Sequence, residues 1–162
     1  EVLGYAATMN ATHMTDLDPQ GAPMVETVHR VLSDSDVTPD RIDYVQAHGS
    51  GTVQNDRFDA MALKEVFGPR ELTVGSVKST IGHCLGPAGA LSTVATVEML
   101  RRQEVPPSIN LNEIDPSCAG LDYVRGGSRA MPLDTVMVTA SGFGGYHTAA
   151  VLRTGSEGGQ RG

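Results

Sequence analysis

Three β-prone runs in this chain each lead into a corner built from glycine and hydroxyl residues: IDYVQA (42–47) runs into HGSGT (48–52), LTVGSVK (72–78) into the rest of KSTIGH (78–83), and TVMVTAS (135–141) into GFGG (142–145). Between the runs the apolar spacing becomes helical. Met24, Val25, Val28, Val31 and Leu32 share one face over 22–32, and Phe58, Met61, Ala62, Val66 and Phe67 share another behind an N-cap expected at Asn55 or Asp56. A third helical stretch, rich in Gly, Ala and Ser, is expected over 82–102 with Pro87 in its first turn. Its small residues suggest a buried helix lying close to its neighbours. Val2–Ala7 adds a strand at the start, and LDYV and YHTAAVL add strands near the end. Strands that alternate with helices and then close in strands give an α/β domain, helices layered around a mixed β-sheet.

At 162 residues the chain is long enough for one compact domain. That domain is expected over 1–152; the tail RTGSEGGQRG (153–162) has no apolar content and is expected to be disordered. Apolar residues at 40% and charged residues at 19% describe a globular chain. The net charge of -7 and the scarcity of Lys/Arg clusters argue against nucleic acid or an anionic membrane as partner. No run reaches the roughly 18 apolar residues of a membrane span, and no signal peptide is visible. Cys84 and Cys118 form neither a disulfide framework nor a zinc pattern, so no metal is expected and a reducing cytoplasm is the default. The chain opens at Glu1 in what reads as a strand, as a piece of a longer protein does.

The chemistry gathers at the corners. His48 ends a strand where glycines allow close approach to the backbone, with the hydroxyls of Ser50 and Thr52 beside it. His83 is placed near the start of the long helix, where the helix dipole disfavours an imidazolium. A neutral imidazole there can donate its N–H to a carbonyl or enolate oxygen. Lys78 can supply a fixed positive charge. Read singly, each has an ordinary explanation: a satisfied structural histidine, a solvated lysine, a flexible turn around Phe143. His13, His29 and His147 are given no role.

Taken together, HGSGT (48–52), KSTIGH (78–83) and SGFGG (141–145) resemble the three C-terminal signatures of β-ketoacyl synthases, in order and at fitting separations. HGSGTVQND and the HMT at 13–15 are most similar to the ketosynthases of bacterial type II polyketide synthases. The resemblance implies the C-terminal half of a thiolase-like fold. It also implies decarboxylative Claisen condensation, in which an acyl thioester is extended by malonyl carried on the phosphopantetheine arm of acyl carrier protein, with no further cofactor. His48 and His83 are then the histidine pair that promotes malonyl decarboxylation, and Lys78 organises the site electrostatically. Ser50 and Thr52 match positions that contact the phosphopantetheine arm, while Phe143 and Gly144 match the gating Gly-Phe-Gly-Gly loop.

Two departures stand out. Many family members carry Glu nine residues after the second histidine, where this chain has Ser92. The acyl-carrying Cys of the family lies in the N-terminal half, and neither Cys84 nor Cys118 corresponds to it. The resemblance therefore implies a partner fragment holding that thiol, and beside it a subunit like a chain-length factor. Two other readings use the same residues. One is a non-catalytic partner subunit, which the retention of both histidines disfavours. The other is a cysteine α/β-hydrolase with Cys84 in a G-x-C-x-G elbow (82–86), completed by Asp134 and His147.

Overall fold

The structure is a computed structural model, and it describes residues 1–10, 13–18 and 21–155. Its main sheet has six strands: β1 (Val2–Met9), β2 (Tyr44–Gln46), β3 (Thr73–Gly75), β5 (Asp122–Tyr123), β7 (Thr135–Gly142) and β8 (Tyr146–Arg153). They lie in the order β1-β8-β7-β2-β3-β5. Strands β7, β2, β3 and the edge strand β5 are mutually parallel, whereas β8 pairs antiparallel with both β7 and the opposite edge strand β1. The expected mixed sheet is present. Two further strands, β4 (Glu104–Val105) and β6 (Arg129–Ala130), pair separately.

Helices α1 (Ala22–Ser35) and α2 (Val53–Phe67) cover one face of the sheet. Their inward residues, Met24, Val28, Val31, Phe58, Ala62 and Leu63, form a core with Val45, Val74 and Met137. Helix α1 starts from Gly21 in the left-handed conformation and stops where Asp36, at φ 52, donates its N–H to the carbonyls of Leu32 and Ser33. The N-cap of α2 is Thr52, not Asn55 or Asp56 as expected: its hydroxyl accepts the Asn55 N–H, and so the last residue of the HGSGT corner begins the helix.

The other face carries one helix, α4 (Ala88–Arg102). The long helix expected over 82–102 is broken. A short helix, α3 (Lys78–Ile81), precedes a loop over 82–87 in which Gly82 has φ 77 and Leu85 has φ 58. Those dihedrals cannot continue a right-handed helix. Pro87 stands at the N-cap of α4, one position before the first turn. Nor is α4 wholly buried. Ala88, Ser92, Thr96, Met99 and Leu100 face inward, and Leu91, Val94 and Val97 face out, Val94 at 63% exposure. No described helix is long and apolar enough to cross a membrane.

Strand β8 runs one residue past the expected end of the domain. Arg153 donates its N–H to the Glu1 carbonyl, and Thr154 donates its N–H to that of Asp134. These backbone bonds order the start of the stretch read as tail, and 156–162 lie outside the described residues.

Candidate active site

Register brings the three corners to one edge. Gln46 pairs with Gly75 on β3 and with Val138 on β7, all three strands running the same way. His48, Lys78 and Phe143 each follow the carboxyl end of one of these strands, the edge where open α/β sheets gather their sites.

His48 is 7% exposed and Lys78 8% exposed. The Lys78 ammonium donates to the His48 carbonyl oxygen at 2.5 Å, and the Ser76 hydroxyl donates to the same oxygen at 3.3 Å. The next backbone group along, the Gly49 N–H, donates at 2.8 Å to the Asp59 carboxylate on α2, which also accepts from the Asn55 amide at 3.0 Å. Gly49 has φ 45, and a Cβ there would lie 2.5 Å from that of Ser76, so the corner requires glycine.

The two histidine rings meet edge to face, centroids 5.2 Å apart and planes at 76°. Burial, and then the positive charge of Lys78, push the His48 imidazole down to about 3. It is neutral at any physiological pH. His83 is exposed and lies in the 82–87 loop rather than in a helix, which corrects its expected place. The bent loop turns the Leu85 N–H onto His83 Nδ1 at 3.0 Å. With Nδ1 accepting, the proton of the neutral ring resides on Nε2. A backbone bond, and not a helix terminus, makes this imidazole an N–H donor.

Ser50 and Thr52 hold their hydroxyls 3.2 Å apart at the corner. Phe143 is 78% exposed at the tip of the β7–β8 hairpin. The hairpin is tied to the segment after β1: Gly144 donates its N–H to Met14, and Asn10 donates its N–H to Gly145. Ser92 is buried on α4. The carboxylate that acts on Lys78 comes instead from α2, as Asp59, and it favours the charged ammonium against a burial that disfavours it. Asp59 was missed in the sequence, although an acid at a buried phase of an apolar helix is itself a signal. His147, given no role, is fully buried, stacked on Phe58, and paired through Nδ1 with the Ser141 hydroxyl.

The hydrolase triad does not assemble. His147 pairs across the ladder with Ser141, while Asp134 precedes the far end of β7 and bonds Thr135 and Thr154. At about 3.3 Å per residue the two are roughly 20 Å apart. Cys84 lies in a loop between two helices, not on a strand-to-helix elbow.

The family description "Beta-ketoacyl synthase, C-terminal domain" matches residues 1–112, a span that includes both histidine motifs. This chain belongs to the β-ketoacyl synthase family. The chain is 44% identical over 154 residues to the tetracenomycin polyketide synthase ketoacyl synthase alpha subunit of Streptomyces glaucescens, covering 94% of this chain and 36% of that one. Among solved structures it superposes with a TM-score of 0.91, at 37% identity, on a type II polyketide ketosynthase in complex with its acyl carrier protein, covering 95% of this chain and 38% of that one. The ishigamide ketosynthase/chain length factor gives a TM-score of 0.91 at 32% identity, with 96% and 38% covered. These superpositions establish the thiolase-like ketosynthase fold. The domain thus spans just over a third of the length of these relatives.

Proposed function

We propose that this domain supplies the histidine pair of a polyketide β-ketoacyl synthase, which condenses malonyl on an acyl carrier protein with an acyl thioester. The observation that carries the reading is the pairing of a buried neutral His48 with His83, whose ring is set as an N–H donor. The reaction needs that kind of donor. When the malonyl carboxylate leaves as carbon dioxide, the C–C bonding pair moves onto the thioester, and negative charge collects on its carbonyl oxygen. Neutral N–H donors stabilise that oxygen without protonating it. The enolate carbon then attacks the acyl thioester carbonyl, a C–C bond forms, and the thiolate that carried the acyl group leaves.

That thiol is assigned to a part of the enzyme outside these residues. Cys118 is buried, and Cys84 directly follows His83 at a position that does not match the family nucleophile. A docking face is available for the missing part. Leu91, Val94 and Val97 on α4, with Tyr5 and Met9 on β1 and Phe143 and Tyr146 on the hairpin, are exposed. These exposed apolar side chains are assigned to the interface with that part. Support for a carrier protein and a chain-length-factor-like subunit as partners comes from the solved relatives that contain them. Ser50 and Thr52 are assigned to the phosphopantetheine arm, and Phe143 and Gly144 to the gate.

The test is product formation by the assembled ketosynthase carrying His83→Ala. Loss of condensation, with the protein still folded, is the expected result; normal product would defeat the assignment.

A further inference from the structure

The two histidines are held in different ways. His83 has a hydrogen bond on Nδ1 from the Leu85 N–H, whereas His48 Nδ1 is buried with no partner among the described residues. No side-chain hydrogen bond on that nitrogen therefore sets the His48 ring. Its aim comes from the backbone beneath it and from the His83 ring beside it.

That backbone is clamped on both edges. The His48 carbonyl and the Gly49 N–H belong to a single planar amide. Lys78 donates to the carbonyl edge at 2.5 Å, and Asp59 accepts from the N–H edge at 2.8 Å. We propose that Asp59 is a positioning residue for His48, fixing through the Gly49 N–H the peptide plane on which the imidazole is mounted. Turning that plane requires a change in ψ of His48 and φ of Gly49, and so moves the ring's attachment.

Burial of Asp59 is otherwise hard to account for. It is 5% exposed on a helix face shared with Phe58, Ala62 and Leu63. Burying a carboxyl group there is costly unless its bonds serve the fold or the site. One oxygen is spent on Gly49 and Asn55, and the other has no partner among the described residues. A salt-bridging acid would face its cation directly; this one faces Lys78 across an amide.

The catalytic consequence rests on the ketosynthase reading, whereas the positional claim does not. Asp59→Asn keeps an oxygen to accept the Gly49 N–H; Asp59→Leu keeps the volume and removes the acceptor. In the enzyme assembled with its thiol-bearing half, malonyl decarboxylation by Asp59→Asn is expected within about threefold of wild type, and kcat for Asp59→Leu falls at least tenfold, roughly, at unchanged KM. NMR reads the geometry separately. The Gly49 amide proton is expected downfield in wild type and Asp59→Asn, and both that shift and the His48–His83 ring contacts are lost in Asp59→Leu. Should the leucine variant not fold, Asn55→Ala removes the second donor to Asp59 and is expected to lower kcat about threefold. A wild-type rate in folded Asp59→Leu, or a loss in Asp59→Asn as large as in Asp59→Leu, overturns the proposal. A wild type that releases no carbon dioxide refutes the ketosynthase reading instead. The NMR comparison then decides the positional claim, with ring contacts retained in Asp59→Leu counting against it.

Discussion

The Lys78 ammonium sits 2.5 Å from the carbonyl oxygen of His48, thirty residues away in sequence. A buried ammonium bonded to a backbone carbonyl joins two corners of the sheet edge and places a charge behind the imidazole. Lys78→Met keeps the stem and deletes the charge, leaving the carbonyl with only the longer Ser76 bond. The expected cost is about 1–3 kcal/mol of stability, read from urea midpoints, together with a rise in the His48 pKa, read by NMR.

The pH dependence of stability follows from two groups that shift in opposite directions. Asp59 is pushed up to about 7 by burial, so its contribution is fully present below the ordinary carboxylate value and is lost as pH rises through 7. His48 is pushed down to about 3, so its contribution is present above the ordinary imidazole value and is lost as pH falls toward 3. Between the two ordinary values they oppose each other. In Asp59→Asn only the histidine slope remains, and unfolding midpoints should climb from pH 4 to 6.5 more steeply than in wild type. Parallel curves for the two proteins would contradict the assignment of that slope.

Gly145 is irreplaceable for a steric reason. It has φ 78, and a Cβ there would lie 1.8 Å from the Asn10 side-chain oxygen and 2.2 Å from its carbonyl. Gly145→Ala should cost about 1–3 kcal/mol and release the hairpin from the segment after β1. Hydrogen exchange at the amides of Asn10 and Gly144, which bond across this junction, would report the release as loss of protection.

The apolar face of α4 makes a separate prediction. Val94 is 63% exposed, so Val94→Asp should change the stability of this chain by about 0.5 kcal/mol or less. On the proposed reading, in which α4 meets the thiol-bearing part, the same change would bury a carboxylate at that contact and should abolish soluble assembly of the complete enzyme, seen by size-exclusion chromatography. Indifference in the complete enzyme would show that this face stays open to solvent.

Much of the architecture was legible because it rests on periodicity. Met24, Val28 and Val31 announce α1, and the β-prone run at 42–47 and the β-branched run at 135–139 announce inner strands. What the pattern hides is local geometry. The break at 82–87 depends on left-handed φ at Leu85, a residue that seldom adopts it, so composition reads straight through the loop. The HGSGT motif marks Thr52 as a ligand contact and hides its part as a helix cap, although a hydroxyl can do both. Asp59 went unnoticed because its partner, the Gly49 N–H, is a backbone group with no sequence signature.

The most direct test of the account is carbon dioxide release from malonyl carrier protein by the assembled enzyme, wild type against His48→Ala. His48 is the buried, neutral member of the pair, and losing it should lower decarboxylation by about a hundredfold or more, the scale seen when one oxyanion donor is removed. A His48→Ala enzyme that folds, binds malonyl carrier protein and decarboxylates at the wild-type rate would contradict the account at its centre.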